Sequence, residues 1–115
     1  MLAFGMSMRM LGPVEWLTNE LESTRSSSRR AQLIRKLALS HDPSVIPTIA
    51  PFLGADGRVR RAAIDGILHF GEDARRPMLD LLGDLRRSEL HPGALRVLVG
   101  IVAGAHRATT AEESR

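Results

Sequence analysis

The sequence contains no cysteine and no tyrosine, and aromatic residues make up only 3% of its 115 residues. The missing cysteines exclude disulfide bonds, thiolate catalysis and cysteine-ligated zinc. With so few rings, the core has to be built from Ala, Leu, Ile and Val, a composition that favours packed helices. The chain length suits one domain with a single hydrophobic core.

Lysine is almost absent too, since Lys36 is the one basic residue that is not Arg, and the net charge is only +3. A small surplus favours a solvated, mixed surface over a nucleic-acid-binding one. No apolar run approaches the length of a membrane-spanning helix, which is roughly 20 residues. In the apolar stretch 1–12 the only charge, Arg9, follows the hydrophobic residues, unlike in a secretory signal. We therefore expect a flexible leader at 1–12, or an upstream start codon, and a cytoplasmic protein.

Six segments carry apolar residues at helical spacing, and Pro, Gly, Ser or Asp separates them. This pattern predicts an all-α fold of three helical hairpins, at about 13–40, 42–71 and 73–105. Pro51 lies inside the third segment, where a proline removes a backbone hydrogen bond, so we expect a kink or a break there. The polar tail 106–115 is expected to be disordered.

The segments also repeat internally, which is typical of stacked hairpins. In the first helices, a step of 32 relates three sets of apolar residues: Val14, Leu17 and Leu21; Ile46, Ile49 and Leu53; Met78, Leu81 and Leu85. In the second helices, a step of 30 relates Leu33, Ile34, Leu37 and Ala38 to Ala63, Ile64, Ile67 and Leu68. A further step of 34 relates Ile64, Ile67 and Leu68 to Leu98, Ile101 and Val102. All of these positions are predicted to face the core.

The stretch 56–68 resembles the start of the second helix in a HEAT-like repeat. It has an Asp, then Val-Arg, then two Ala, then a pair of large apolar residues ahead of a Gly. The resemblance is closest to the short bacterial repeats that also occur in phycobilin lyases. It implies a right-handed α-solenoid whose second helices line the concave side. It also implies a ladder of polar contacts formed by Asp56 and Arg60 with Arg30 below them, although Ser26 and Ala94 break the pattern in the outer repeats.

The sixth segment is apolar over most of its circumference, with Arg96 as its only charge between residues 94 and 105. The last unit of a helical array normally turns a polar face to water. This segment is therefore predicted to bind another protein or a second copy, or else to pack under the leader or the tail.

Catalytic chemistry finds no support in the sequence. The four His residues are scattered, no His-Glu dipeptide of the kind used by HEAT-like oxygenases is present, and no phosphate loop or paired-carboxylate motif occurs. Asp65 and His69 are one helical turn apart and are interpreted as a surface pair. We expect no catalytic residue, no metal site and no cofactor.

What remains is a surface on the second helices, whose predicted outward residues are Arg35, Lys36, Arg61, Asp65, His69, Arg96 and Val99. This face is basic at one end and apolar at the other, which favours a protein segment with acidic and hydrophobic anchors over a phosphate backbone.

Three functions stay open. The first is a non-enzymatic protein interaction module or scaffold. The second is nucleic-acid binding through an Arg-rich groove, as in the helical-repeat DNA glycosylases that the architecture resembles. The third, suggested by the repeat type alone, is a subunit of a chromophore lyase.

Overall fold

The computed structural model describes residues 12–113, with side chains described as far as residue 104. Within that range the chain is helical and contains no strand, so the all-α prediction is confirmed. The α-helices are α1 (Pro13–Ser23), α2 (Ser27–Ala38), α3 (Ile46–Ile49), α4 (Gly57–Leu68), α5 (Arg75–Gly83) and α6 (His91–Glu113). Short 3-10 segments lie at Pro43–Val45, Ala50–Gly54, Gly71–Ala74 and Leu85–Leu90.

Local side chains fix several helix ends. Ser26 precedes α2, and its hydroxyl accepts a hydrogen bond from the backbone N–H of Arg29 at 3.2 Å. A carboxylate oxygen of Asp42 accepts the backbone N–H of Ser44 at 3.0 Å, and hydrogen bonds from the Ser44 side chain and backbone hold the pKa of Asp42 below its usual value. Gly71 follows α4 with φ +56°, a left-handed conformation that ends helices and suits glycine.

The segment between α2 and α4 is broken as the prolines predict. α3 has four residues, and Pro51 lies in the 3-10 segment that follows it. A proline there has no N–H to donate, so a regular helix cannot continue through it. The broken segment still buries its apolar residues, since Ile46, Ile49 and Leu53 are at most 1% exposed.

The elements pack as three pairs. α1 packs on α2, the segment from residue 43 to residue 54 packs on α4, and α5 packs on α6. The second helices also pack on one another, with α4 between α2 and α6. One apolar core runs through all three pairs, and its largest fully buried side chains include Leu33, Ile34, Leu37, Ile67, Met78 and Val97. We call the three second helices α2, α4 and α6 the central row.

Two predicted core residues, Leu85 and Val102, are wrong. Val102 is 60% exposed, because no described helix covers its side of α6. Leu85 is 82% exposed, whereas Leu90 is 2% exposed and fills the core instead. α5 ends at Gly83, and Asp84 has the extended angles φ −97° and ψ 98°. The chain therefore leaves the helical register before Leu85, and the step of 32 residues fails at its last member.

The last helix is longer than predicted. α6 runs to Glu113, so residues 106–113, which were expected to be disordered, are helical. The reason is in the composition, since the sequence from 105 to 113 contains neither Gly nor Pro and includes the good helix formers Ala, Arg and Glu. The predicted leader, apart from Gly12, and residues 114–115 lie outside the described residues.

Candidate functional site

Neighbouring helices of the central row meet at glycines in the same register. A Cβ atom built on Gly66 of α4 would lie 3.3 Å from Cβ of Ala38 and 3.4 Å from Cγ2 of Ile34, both on α2. Gly100, which is 34 residues after Gly66, meets Leu68 of α4, the counterpart of Ala38. The helices α2 and α4 therefore each contact the glycine of the next helix through the same apolar face. We call this face, and the equivalent face of α6, the receiving face of the helix.

On α6 the receiving face has no helix beyond it within the described residues. By the same register, Leu98 and Val102 of α6 correspond to Ile64 and Leu68 of α4. Val102 is 60% exposed and Leu95, two turns before it, is 52% exposed. A shallow depression of about 520 Å³ with almost wholly apolar walls lies here, lined by Leu98, Val99, Val102 and Ala103. We call this surface the open face of α6.

The other end of the central row is polar. Lys36 of α2 occupies the register position of Gly66 and Gly100, and it is exposed. Gln32, one turn earlier on the same side, is exposed as well. The row thus ends in water-compatible residues at α2 and in apolar residues at α6.

Between α4 and α6 the structure contains a cavity of about 300 Å³. We call it the arginine cavity. Its walls are Gly57, Arg60, Arg61, Ile64 and Asp65 of α4 and Arg96 of α6. It brings together three of the predicted surface residues, Arg61, Asp65 and Arg96. It adds Arg60, whose predicted role was structural, and Ile64, which was expected in the core.

The remaining predicted surface residues lie outside this cavity. Arg35 and Lys36 are exposed on α2. Val99 is 67% exposed on α6, one turn after Arg96. The backbone N–H of His69 donates to the backbone oxygen of Asp65 at 3.1 Å, but the two side chains form no hydrogen bond. The His69 ring lies 5.7 Å from that of His41, which follows α2.

The predicted polar ladder is not formed among the described residues. Asp56 occupies the N-cap position of α4, but its side chain accepts no capping hydrogen bond. The guanidinium group of Arg60 forms no hydrogen bond or ion pair with a described residue. Arg30 instead donates from Nε to the backbone oxygen of Thr24 at 3.1 Å. The polar contact that joins the first two hairpins is made by Arg58, whose Nη1 donates to Oγ of Ser28 at 2.7 Å.

Charge pairing in the described residues occurs away from the arginine cavity. The ion pairs are Arg75 with Glu72, Arg76 with Asp80 and Arg86 with Asp84, all in the third hairpin. Hydrogen bonding from the backbone N–H of Arg86, with the nearby Arg side chains, holds the pKa of Asp84 below its usual value. The three cavity arginines have no such partner among the described residues.

The arginine cavity gathers three guanidinium groups, one carboxylate and an apolar wall. Within the described residues no group of His, Asp or Glu side chains is placed to hold a metal ion. No helix in the same part of the chain combines the length and the hydropathy needed to cross a membrane. Comparison with family models, with curated proteins and with solved structures finds no match.

Proposed function

We propose that the chain is a non-enzymatic interaction module, a short right-handed α-solenoid of three HEAT-like hairpins, whose open face binds a helix of another protein. The supporting observation is the open face itself, where Leu95 and Val102 are more than half exposed. Contiguous exposed apolar surface on a soluble domain marks a binding site. Helical arrays that end in water are instead capped by polar residues.

The register of the central row gives the chemistry of the partner. The receiving faces of α2 and α4 both accept a helix that presents glycine at the crossing point, at Gly66 and at Gly100. The open face continues the same pattern with Leu98 and Val102. It therefore suits an amphipathic helix with a small residue at its centre and apolar residues one turn to either side.

A second copy of the chain is a poorer occupant in head-to-tail stacking. Such stacking would place α2 of the next copy on α6, with Lys36 at the glycine position. An ammonium group buried against Leu98 and Val102 would be desolvated without a partner, which is strongly unfavourable. Head-to-tail stacking of a second copy is therefore unfavourable, and a helix of a different protein is the proposed occupant.

The experiment is site-specific photo-crosslinking in cells, using the full chain with p-benzoylphenylalanine at position 102 or, as the control, at position 36. We expect a crosslinked partner from position 102 and none from position 36. Val99→Asp and Val102→Asp should each weaken binding of the purified partner about tenfold, because a charge then enters an apolar contact. Leu39→Asp is the matched control, since Leu39 is 63% exposed but lies at the end of α2.

Three crosslinking results would contradict the proposal. Position 102 crosslinks to a second copy, to residues 1–11 of its own chain, or to nothing. Equal weakening by Leu39→Asp would also contradict it, because a general loss of surface hydrophobicity would then explain the effect.

A further inference from the structure

We call the contact between α2 and α4 the first junction and the contact between α4 and α6 the second junction. The arginine cavity exists because two positions that hold small residues at the first junction hold large basic residues at the second. On α2, Ala31 lies on the same helical side as Ile34 and Ala38 and is 1% exposed. On α4, Ala62 is fully buried one turn before Gly66. Their register counterparts are Arg61 and Arg96, and both are exposed and line the cavity. Two guanidinium groups cannot pack together where two methyl groups do, so the junction opens.

The charges that line the cavity are not balanced, and their sum is positive. Three guanidinium groups and the carboxylate of Asp65 line it, so its formal charge is +2. None of the three arginines forms an ion pair or a side-chain hydrogen bond with another described residue. Guanidinium groups packed around one space repel one another, and a bound anion relieves the repulsion.

The side chain of Arg60 provides a second, independent observation. Its Nε atom is buried and has no hydrogen-bond partner. Its counterpart Arg30, thirty residues earlier, donates the same Nε–H to the backbone oxygen of Thr24. Buried donors are nearly always satisfied in native proteins, and the exceptions often lie where a ligand or an ion binds. The described residues therefore supply no acceptor for the Nε of Arg60.

We propose that the arginine cavity binds a side-chain carboxylate of an acidic, partly apolar segment in the protein partner. This inference rests on the proposed function and adds a second contact to the open face, since Arg96 is one helical turn from Val99. Guanidinium groups bind carboxylates through paired, charge-assisted hydrogen bonds. Ile64 supplies an apolar wall for the methylene groups or for a neighbouring leucine side chain.

A carboxylate fits better than a phosphate. Asp65 lies in the wall, and its negative charge opposes a dianion more than a monoanion. A nucleic acid would need a series of cations along its backbone and would usually use aromatic side chains for stacking. The chain has one Trp, no Tyr and three Phe.

The test is a titration of the full chain with a capped Glu-Glu-Leu-Leu tetrapeptide, with a Gln-Gln-Leu-Leu peptide as the isosteric control. The Nε–Hε signals of the arginines in ¹H–¹⁵N spectra report the contact directly. We expect the Arg60 signal to shift and saturate with a dissociation constant near 1 mM, and the control peptide to leave it unchanged. Arg61→Gln and Arg96→Gln should each weaken binding about fivefold, since each removes a charge-assisted hydrogen bond.

Arg58→Gln is the matched control variant. Arg58 lies on α4 beside the cavity, but it is not part of the wall and its guanidinium contacts Ser28. Equal binding of the Gln peptide, equal loss in Arg58→Gln, or an Arg60 signal that responds to inorganic phosphate and not to the acidic peptide would each overturn the inference. Crosslinking from position 102 is unaffected by those outcomes, so failure of this site and failure of the proposed function are distinguishable.

Discussion

The junction between α2 and α4 and the junction between α4 and α6 share a register but differ in what fills them. At the first, Ala31 and Ala62 are buried, and Arg58 closes the exposed edge by donating to Ser28. At the second, Arg61 and Arg96 line a cavity between the helices. Glycine at the crossing point thus fixes how these helices meet, while the residue one turn earlier decides whether the junction is sealed or open. A packed array can thus keep the same register at both junctions and still have a cavity at one of them.

The first and largest contrast compares isoleucines at equivalent positions. Ile34 is fully buried on α2, whereas Ile64 is half-buried on α4 and faces the arginine cavity. Ile34→Ala should lower the free energy of unfolding by about 2–5 kcal/mol, because it creates a cavity in close-packed surroundings. Ile64→Ala should cost about half as much, since solvent already reaches part of its side chain.

Urea denaturation at pH 7 measures both changes, provided that the slope of the free energy with urea is the same in the two variants. Equal losses at positions 34 and 64 would mean that the second junction is sealed in solution, and the contrast between the junctions would then be lost.

The second contrast concerns Arg30 and Arg60, each replaced by Met to preserve most of the side-chain volume. Arg30→Met removes the hydrogen bond to Thr24 and leaves the carbonyl oxygen of Thr24 unpaired. We therefore expect the free energy of unfolding to fall by about 1 kcal/mol. Arg60→Met removes a buried donor that has no partner, so stability should stay the same or rise by up to about 1 kcal/mol. Thermal unfolding separates the two, because 1 kcal/mol corresponds to a shift of about 4–8 °C in Tm for a domain of this size.

A loss of the same size in both variants would indicate that Arg60 has an acceptor within the chain in solution. That result would remove the asymmetry between the two arginines, and with it one of the observations on which the carboxylate site is based.

Most of the fold follows from apolar spacing and the positions of Pro and Gly. The break at Pro51 and the helix stop at Gly71 are local effects of backbone chemistry, so the sequence predicts them well. The exposure of Leu85 was missed because it depends on a helix ending two residues earlier, and helix ends are set by small differences in local free energy. The helical residues 106–113 were missed because a polar composition was taken as a sign of disorder.

The arginine cavity was partly accessible from sequence. Arg61, Asp65 and Arg96 were predicted as outward residues of adjacent helices, since both helices share a helical period and a register. Arg60 was assigned to a structural ladder by resemblance to HEAT-like repeats, and only the geometry shows that its Nε is unpaired. The approach of His41 to His69 joins two hairpins, and no spacing along the chain indicates it.

The smallest contrast concerns the polar contact that seals the first junction. The register counterpart of Arg58 on α6 is Pro92, which has no side-chain donor, so the second junction has no equivalent of the bond to Ser28. A double-mutant cycle with Ser28→Ala and Arg58→Ala should give a coupling of about 0.5 kcal/mol, because both groups are exposed and exchange the bond for water. Ser28→Ala paired with Arg61→Ala should give no coupling, since Arg61 makes no hydrogen bond to Ser28. A coupling above about 1.5 kcal/mol would mean that this contact, rather than the buried alanines, holds the first junction closed.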